Sequence, residues 1–271
     1  MKGVAVIGAG RVGRFILRRL RRVQDLRLVA TTRTSASADR VRRELGLEVF
    51  TDNRRALSAA ELIFLCVRPD HLREILEDLR GRLAEKRLVS LLVVFAPEEL
   101  ERLLGCKEVA VFHPTTYLHY AEGDFLSSFL IFHPHSSEGF RKGLKGLLGS
   151  AFGQLEEVKD LNALKEKIFL YGNLPAYLLD ILGRLELLLR ERLGLSEGEA
   201  RGLILRALEV PFQEKKALVR EVATPGGLTE KGLRLIDETL KLLFTALEAN
   251  THLQIDGTRG RLGHEGLLYT F

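Results

Sequence analysis

The sequence predicts an α/β fold in which an N-terminal, doubly wound, mostly parallel sheet of the Rossmann type is followed by an all-α domain. Three observations carry this expectation. The apolar run Val4-Ala5-Val6-Ile7 passes directly into Gly8-Ala9-Gly10-Arg11-Val12-Gly13, the pattern of a buried parallel strand turning into a helix. As far as residue 158, strand-sized apolar runs alternate with helical periodicity, the order that builds a parallel sheet covered on both faces. From Lys159 onward strand signals vanish and leucine recurs at helical spacing.

At 271 residues and 46% hydrophobic the chain can bury a large core, and two domains are expected, residues 1–158 and 159–271. Its apolar stretches are strand-sized and none reaches the length of a membrane span. The first strand begins at once and leaves no room for a signal peptide, so the chain is expected in the cytoplasm. The two cysteines, Cys66 and Cys106, lack C-x-x-C spacing and read as small core hydrophobes in a reducing compartment. A net charge of +5 is spread along the chain. The cluster Arg18, Arg19, Arg21 and Arg22 reads as a solvated helix face, and no sustained basic face with interleaved aromatics marks a nucleic-acid surface.

The glycines of the first turn have separate tasks. Gly8 makes the tight turn, Gly10 lets backbone amides approach a diphosphate, and Gly13 lets helix and strand pack closely. The helix entered through Ala9, Arg11 and Val12 then presents its positive end to the anion. This is the signature of a dinucleotide site. The second strand, Leu26 to Thr31, ends in Thr32-Arg33-Thr34 with no acid to bind a ribose 2′-hydroxyl. Arg33 can grip a 2′-phosphate bidentately and the flanking hydroxyls can add bonds, so NADP is the expected cofactor.

The alternation continues in order. A helix closes over Val41 to Leu45 at Gly46, and Glu48 to Phe50 is a short strand. Leu62 to Val67 is a buried strand, followed by a helix over Leu72 to Leu79. Leu88 to Val94 is a strand, Glu98 to Leu104 a helix stopped by Gly105, and Val109 to Phe112 a strand. Strand-like Ser128 to Phe132 and Leu155 to Val158 bracket a helix from about Ser137 to Leu148. Ligand is expected at the carboxyl ends of the strands, hence near Val67-Arg68-Pro69, Phe95-Ala96-Pro97 and His113 to Gly123. Helices are expected over Leu161 to Leu170, Ala176 to Leu193, Glu199 to Val219 and Leu233 to Leu247. The first residues of one form a capping box, Ser196-Glu197-Gly198-Glu199. So much leucine on so few helices points to a homodimer through the C-terminal helices.

Between two of those helices lies Thr224-Pro225-Gly226-Gly227-Leu228-Thr229, whose successive backbone amides suit a carboxylate. Placed after a dinucleotide half in a chain of this length, the motif resembles the Ser-Pro-Gly-Gly-Thr-Thr signature of the pyrroline-5-carboxylate reductases. The resemblance extends to VAVIGAGRVG, to Thr51-Asp52-Asn53 and to Leu65-Cys66-Val67-Arg68-Pro69. It includes Pro114, Thr116, Glu122 and Gly123, then Gly172, Pro175, Ala176 and Tyr177, and finally Gly232 and Leu233. It implies NADPH-dependent reduction of a cyclic imine carboxylate to proline, on a dimer whose helical domains complete each other's sites. It also implies that Thr224, Gly226, Gly227 and Thr229 hold the small-molecule substrate, Thr229 bonding the imine nitrogen or relaying a proton.

Departures from the family pattern bear on the substrate. Leu92-Val93-Val94 stands where the family has small residues, Thr115 replaces an Asn, His113 a Met and Tyr117 a Pro. Phe169 and Leu174 bring bulk to a stretch of glycines and hydroxyls, and such bulk reshapes a pocket. Alternatives are therefore an NADP-dependent oxidoreductase acting on another small imine, keto or hydroxy acid, or a non-catalytic NADP-binding dimer. His113, at a strand end, is a candidate acid or hydrogen-bond donor. His113, His119, His133 and His135 lack the fixed spacing of a zinc site, and no metal is expected. Asp180 and Glu186 receive no role.

Overall fold

The computed structural model describes residues 3–114, 128–209 and 228–264. The elements are β1 (Gly3–Ile7), α1 (Arg11–Leu20), β2 (Arg27–Thr31), α2 (Ser35–Leu45), β3 (Glu48–Phe50), α3 (Asn53–Ser58), β4 (Leu62–Leu65) and α4 (Pro69–Leu79). Next come β5 (Arg87–Ser90), α5 (Pro97–Leu104), β6 (Glu108–Pro114), β7 (Ser128–Phe132), α6 (Glu138–Phe152), β8 (Leu155–Glu157) and α7 (Leu161–Ile168). A π-helical turn, Phe169–Asn173, leads into α8 (Leu174–Leu193), then α9 (Glu197–Glu209) and α10 (Leu228–His264).

The sheet runs β3-β2-β1-β4-β5-β6-β7-β8. Every pairing is parallel except β6 with β7. The strand order reverses at β1, which pairs with β2 on one side and β4 on the other. Because side chains alternate across a strand, β1 sends Ala5 and Ile7 to one face and Val4 and Val6 to the other. The first face is covered by Leu57 of α3, Leu72 of α4, Leu100 of α5 and Leu164 of α7. The second is covered by Ile16 of α1, Val41 of α2 and Phe140 of α6. Burial on both faces explains why these strands read as continuous apolar runs.

The chain divides into two compact units. One holds the residues up to Tyr171 together with those from His252, and the other holds Gly172–Thr251. Within the first, Lys165 of α7, almost fully buried, donates to Asp256 Oδ1 of α10 at 2.5 Å. Within the second, α8 contains no buried residue, and Leu179 and Leu193 are 60% and 65% exposed. Gly194, at φ +67°, ends α8. The capping box starts α9 as expected: Ser196 Oγ accepts from Glu199 N at 3.3 Å, and Glu199 Oε2 accepts from Ser196 N at 2.9 Å.

Several expected boundaries move, and one helix is added. β5 ends at Ser90 rather than Val94, because Ser90 Oγ accepts from Leu92 N at 3.1 Å and Leu92 O accepts from Phe95 N at 3.1 Å, turning the chain while its apolar side chains stay buried. β4 likewise ends at Leu65, before Cys66 and Val67. Helix α6 runs on to Phe152, whose ring packs against Phe112 at 5.1 Å. Helix α3 was not expected at all; it is six residues long, too short to show a period, and is capped by Asp52, which accepts from Arg54 N at 2.9 Å. The helix expected over Glu199 to Val219 is described as far as Glu209, and residues 210–219 lie outside the described residues.

Gly3 shows how tightly β1 enters the sheet, for a Cβ there would lie 2.6 Å from Ala59 O and 3.1 Å from Ala60 Cα. Gly3→Ala is therefore expected to cost about 1–3 kcal/mol and to lower the melting temperature by several degrees. Gly139→Ala, with no heavy atom within 4 Å of the added methyl, should leave melting unchanged or raise it. Thermal unfolding followed by circular dichroism measures both.

Candidate dinucleotide site

The turn after β1 is closed by neighbours on several sides. Gly8 has φ +91°, and a Cβ on it would meet Val67 Cγ1 at 2.9 Å and Cys66 O at 3.1 Å. A Cβ on Gly13 would lie 2.2 Å from Gly8 O, so strand and helix approach as only glycine allows. A Cβ on Gly10 would meet nothing within 4 Å. That position is open to a ligand instead of packed by protein. The bond from Arg14 N to Gly10 O, at 3.0 Å, is the first of α1, so the amides of its opening turn, at Val12 and Gly13, lack acceptors within the helix.

The second wall is the end of β2. Thr31 O accepts from Ala9 N at 2.7 Å and Thr31 Oγ1 from Gly8 N at 3.2 Å. Beyond it Thr32 N donates to Phe50 O at 3.0 Å and Thr32 Oγ1 to Thr34 O at 3.1 Å. Thr34 caps α2, accepting from Ser37 N at 3.3 Å and donating to Ser37 Oγ at 3.0 Å. Arg33 projects from this rigid corner, exposed, and no carboxylate among the described residues pairs with it.

The third wall follows β4. Cys66 N donates to Ile7 O at 2.8 Å, fixing Val67 beside Gly8. Burial pushes the Cys66 thiol well above its ordinary range, so the side chain is an inert apolar wall. Arg68 forks onto Asp70, its Nε and Nη2 donating at 3.1 and 2.7 Å. Together the walls enclose a cleft of about 480 Å³ at the carboxyl ends of β1, β2 and β4, where the strand order reverses and such folds bind ligands. Of the residues expected at a dinucleotide, Gly8, Ala9, Gly10, Thr32, Arg33, Thr34, Val67 and Arg68 line it. Arg11, Val12 and Gly13 form the first turn of α1, and Pro69 is the first residue of α4. Thr31, Ser37, Asn53 and His71 also line the cleft and were not assigned to the site. Ser37 was legible as the third residue after a cap, whereas Asn53 and His71 enter only through the fold of α3 and α4.

The remaining candidates fall elsewhere. Thr224, Gly226 and Gly227 lie outside the described residues, as do Thr116, Tyr117, His119, Glu122 and Gly123. Thr229 falls in the first turn of α10, and its side chain is outside those described. His113 stands near the end of β6 opposite Phe129. Its Nε2 is shielded from solvent without a hydrogen-bond partner among the described residues, and burial pushes the imidazole down to about 4. At neutral pH the ring is therefore uncharged and can act as a hydrogen-bond donor rather than as a charged acid. His133 is structural, its Nε2 lying 2.7 Å from Glu101 Oε2 while its Nδ1 accepts from His135 N at 3.1 Å. Cys106 is buried, its thiol pushed up to about 12 and donating to Lys86 O at 3.2 Å. The bulk at Val94 and Phe169 is turned into the protein interior, the two being 5% and 1% exposed. Val93 packs partly buried against the same core as Val94, and Leu174 opens α8, half-buried.

Residues 3–94 match the family described as NADP oxidoreductase, coenzyme F420-dependent. The chain is 26% identical over 270 residues to a pyrroline-5-carboxylate reductase of Corynebacterium melassecola, a match covering 88% of this chain and 92% of that one. Its fold is that of a pyrroline-5-carboxylate reductase from Coxiella burnetii, with a TM-score of 0.70 at 22% identity over 94% of this chain and 97% of the other. Pyrroline carboxylate reductase of Plasmodium falciparum, solved with NADP bound, gives a TM-score of 0.72 at 18% identity over 95% and 98%. The glycine turn, the cleft at the strand reversal and these likenesses define an oxidoreductase dependent on a nicotinamide dinucleotide. Within that class the chain is similar, at low identity, to the pyrroline-5-carboxylate reductases. No helix among the described residues is long and apolar enough to cross a membrane.

The state of His113 sets an acid dependence. The folded protein keeps it neutral down to about pH 4, whereas the unfolded chain takes up its proton near 6.5. Between those values the unfolded state binds more protons, so stability falls as the pH falls. His113→Met removes this contribution, and urea midpoints measured from pH 7 to pH 4.5 should then decline less steeply, by up to about 1.4 kcal/mol per pH unit. Equal slopes in both proteins would mean that the ring titrates freely in the fold.

Proposed function

We propose that the protein reduces a cyclic imine carboxylate, of the pyrroline-5-carboxylate to proline type, with NADPH. The observation that carries the cofactor choice is the corner Thr32-Arg33-Thr34: an exposed guanidinium and a helix N-terminus stand where an NAD-preferring site has a carboxylate. The residues present fit the dinucleotide. The cradle at Gly10 is open, the amides of α1 face an anion, and Arg33 with Thr34 suits a 2′-phosphate. When bound, NADPH supplies the hydride.

The protein's own part is binding and electrostatics. Thr224, Gly226 and Gly227 hold the substrate carboxylate through backbone amides, and the Thr229 hydroxyl bonds the imine nitrogen or relays its proton. His113, uncharged at neutral pH, is a donor rather than a source of charge. A helical domain reaching from Lys159 to the C-terminus makes the homodimer, a reading supported by the leucines left exposed on α8 and α9. The site of action is the cytoplasm and the process proline biosynthesis.

The test is NADPH oxidation by the purified protein with pyrroline-5-carboxylate, beside NADH and a control without substrate. Turnover that prefers NADPH is expected. Binding of NADPH without turnover would shift the substrate to another small imine, keto or hydroxy acid; failure of other such acids as well would leave a non-catalytic NADP-binding dimer. Arg33→Glu is expected to weaken NADPH about tenfold or more, the scale of a lost charge-assisted bond, while changing NADH little. Equal losses for both cofactors would remove Arg33 from the 2′-phosphate.

A further inference from the structure

We infer that Thr31, the last residue of β2, positions the anion-binding turn and contacts the dinucleotide through its hydroxyl; this rests on reading the cleft as a dinucleotide site. Thr31 is 2% exposed, yet it lines the cleft. Its Oγ1 accepts from Gly8 N at 3.2 Å, and its carbonyl accepts from Ala9 N at 2.7 Å. One residue thus takes the first two amides of the turn, and the anion is left to the amides from Gly10 onward.

A hydroxyl has one donor and two acceptor positions, and here one acceptor position is filled by Gly8 N–H. No acceptor among the described residues takes the Thr31 proton. A hydroxyl on a cleft wall in this state donates to an oxygen of the bound molecule, either a diphosphate oxygen or the hydroxyl of the ribose next to it. Gly8 N–H, the Thr31 hydroxyl and the ligand oxygen then form one hydrogen-bonded chain, in which each bond polarises the next. The neighbouring amide of Thr32 is held by Phe50 O at 3.0 Å, so the corner that presents Arg33 is anchored at the same place.

This assignment differs in its consequences from that of Arg33. Diphosphate and ribose are common to both nicotinamide cofactors, so a Thr31 defect must be felt by NADPH and NADH together. It must also be felt in binding and not in the hydride step. Thr31→Val keeps shape and branching while removing donor and acceptor, Thr31→Ser restores the hydroxyl, and Thr31→Ala is used if the valine protein does not fold.

The experiment is fluorescence titration of the full-length chain and its variants with NADPH and with NADH, accompanied by melting curves without cofactor. In Thr31→Val (or Thr31→Ala) both dissociation constants are expected to rise by about tenfold, the scale of one lost hydrogen bond with a donor left unsatisfied. Thr31→Ser should stay within about threefold of the unsubstituted protein. Where turnover is measured, KM for the cofactor rises and kcat at saturating cofactor stays. Unchanged dissociation constants in the valine or alanine protein would overturn the assignment while leaving the dinucleotide reading intact. A serine protein as weak as the valine one would also overturn it, because shape and not the hydroxyl would then be at work. Failure of the unsubstituted protein to bind either cofactor would overturn the dinucleotide reading and this assignment with it.

Discussion

The first unit depends on the approach of α1 to β1, where a side chain on Gly13 would press to 2.2 Å from the carbonyl of Gly8. Only because both positions lack a Cβ can the helix start so close to the strand end that its amides face the cleft. The rest of the first unit can be read as support for that contact. β2 and β4 flank β1 in parallel, and their first residues beyond the sheet become the other walls. Tight packing at Gly8 and Gly13 contrasts with open space at Gly10, and the contrast separates what the fold needs from what the ligand needs.

The α/β class was legible because two periods rarely coincide by chance. Residues alternate across β1 into two distinct cores, and glycine ends α2 at Gly46 and α5 at Gly105 with positive φ. The dinucleotide turn was legible for the same reason, since each glycine answers a separate steric demand. Elements that depend on tertiary placement were not legible. Leu92, Val94 and Phe95 are as apolar as any strand yet form a turn, because burial and extension are independent once the sheet has ended. Helix α3 is held by one cap and a shared core. Asn53 reaches the cleft through it, pinned by donating to Asp78 Oδ2 at 3.1 Å. No local pattern announces such a partner 25 residues away.

The diverged residues matter less as obstructions than their volume suggests, since Val94 and Phe169 face inward. His113 matters more than a replaced methionine would, because an imidazole kept neutral by burial, with one nitrogen unpartnered among the described residues, is costly to hold. The two units also balance their apolar groups differently. In the first, the sheet is covered on both faces; in the second, leucines along α8 and α9 remain at the surface of the single chain.

The bond between Lys165 and Asp256 joins residues 91 apart in the sequence, and it gives the first unit an unusual history. That unit is built from two separate stretches of the sequence, with the residues of the helical unit between them. In the order of synthesis the sheet and α7 come first, and the carboxylate that matches the buried ammonium of Lys165 follows only after the residues of the helical unit. The loop closed by this contact is long, although the entropy of closing it grows only slowly with length. A nascent chain halted before residue 252 would hold Lys165 without its counter-charge. The first unit is thereby completed only by residues that follow the helical unit in the sequence, and its buried ammonium is matched only once they are in place.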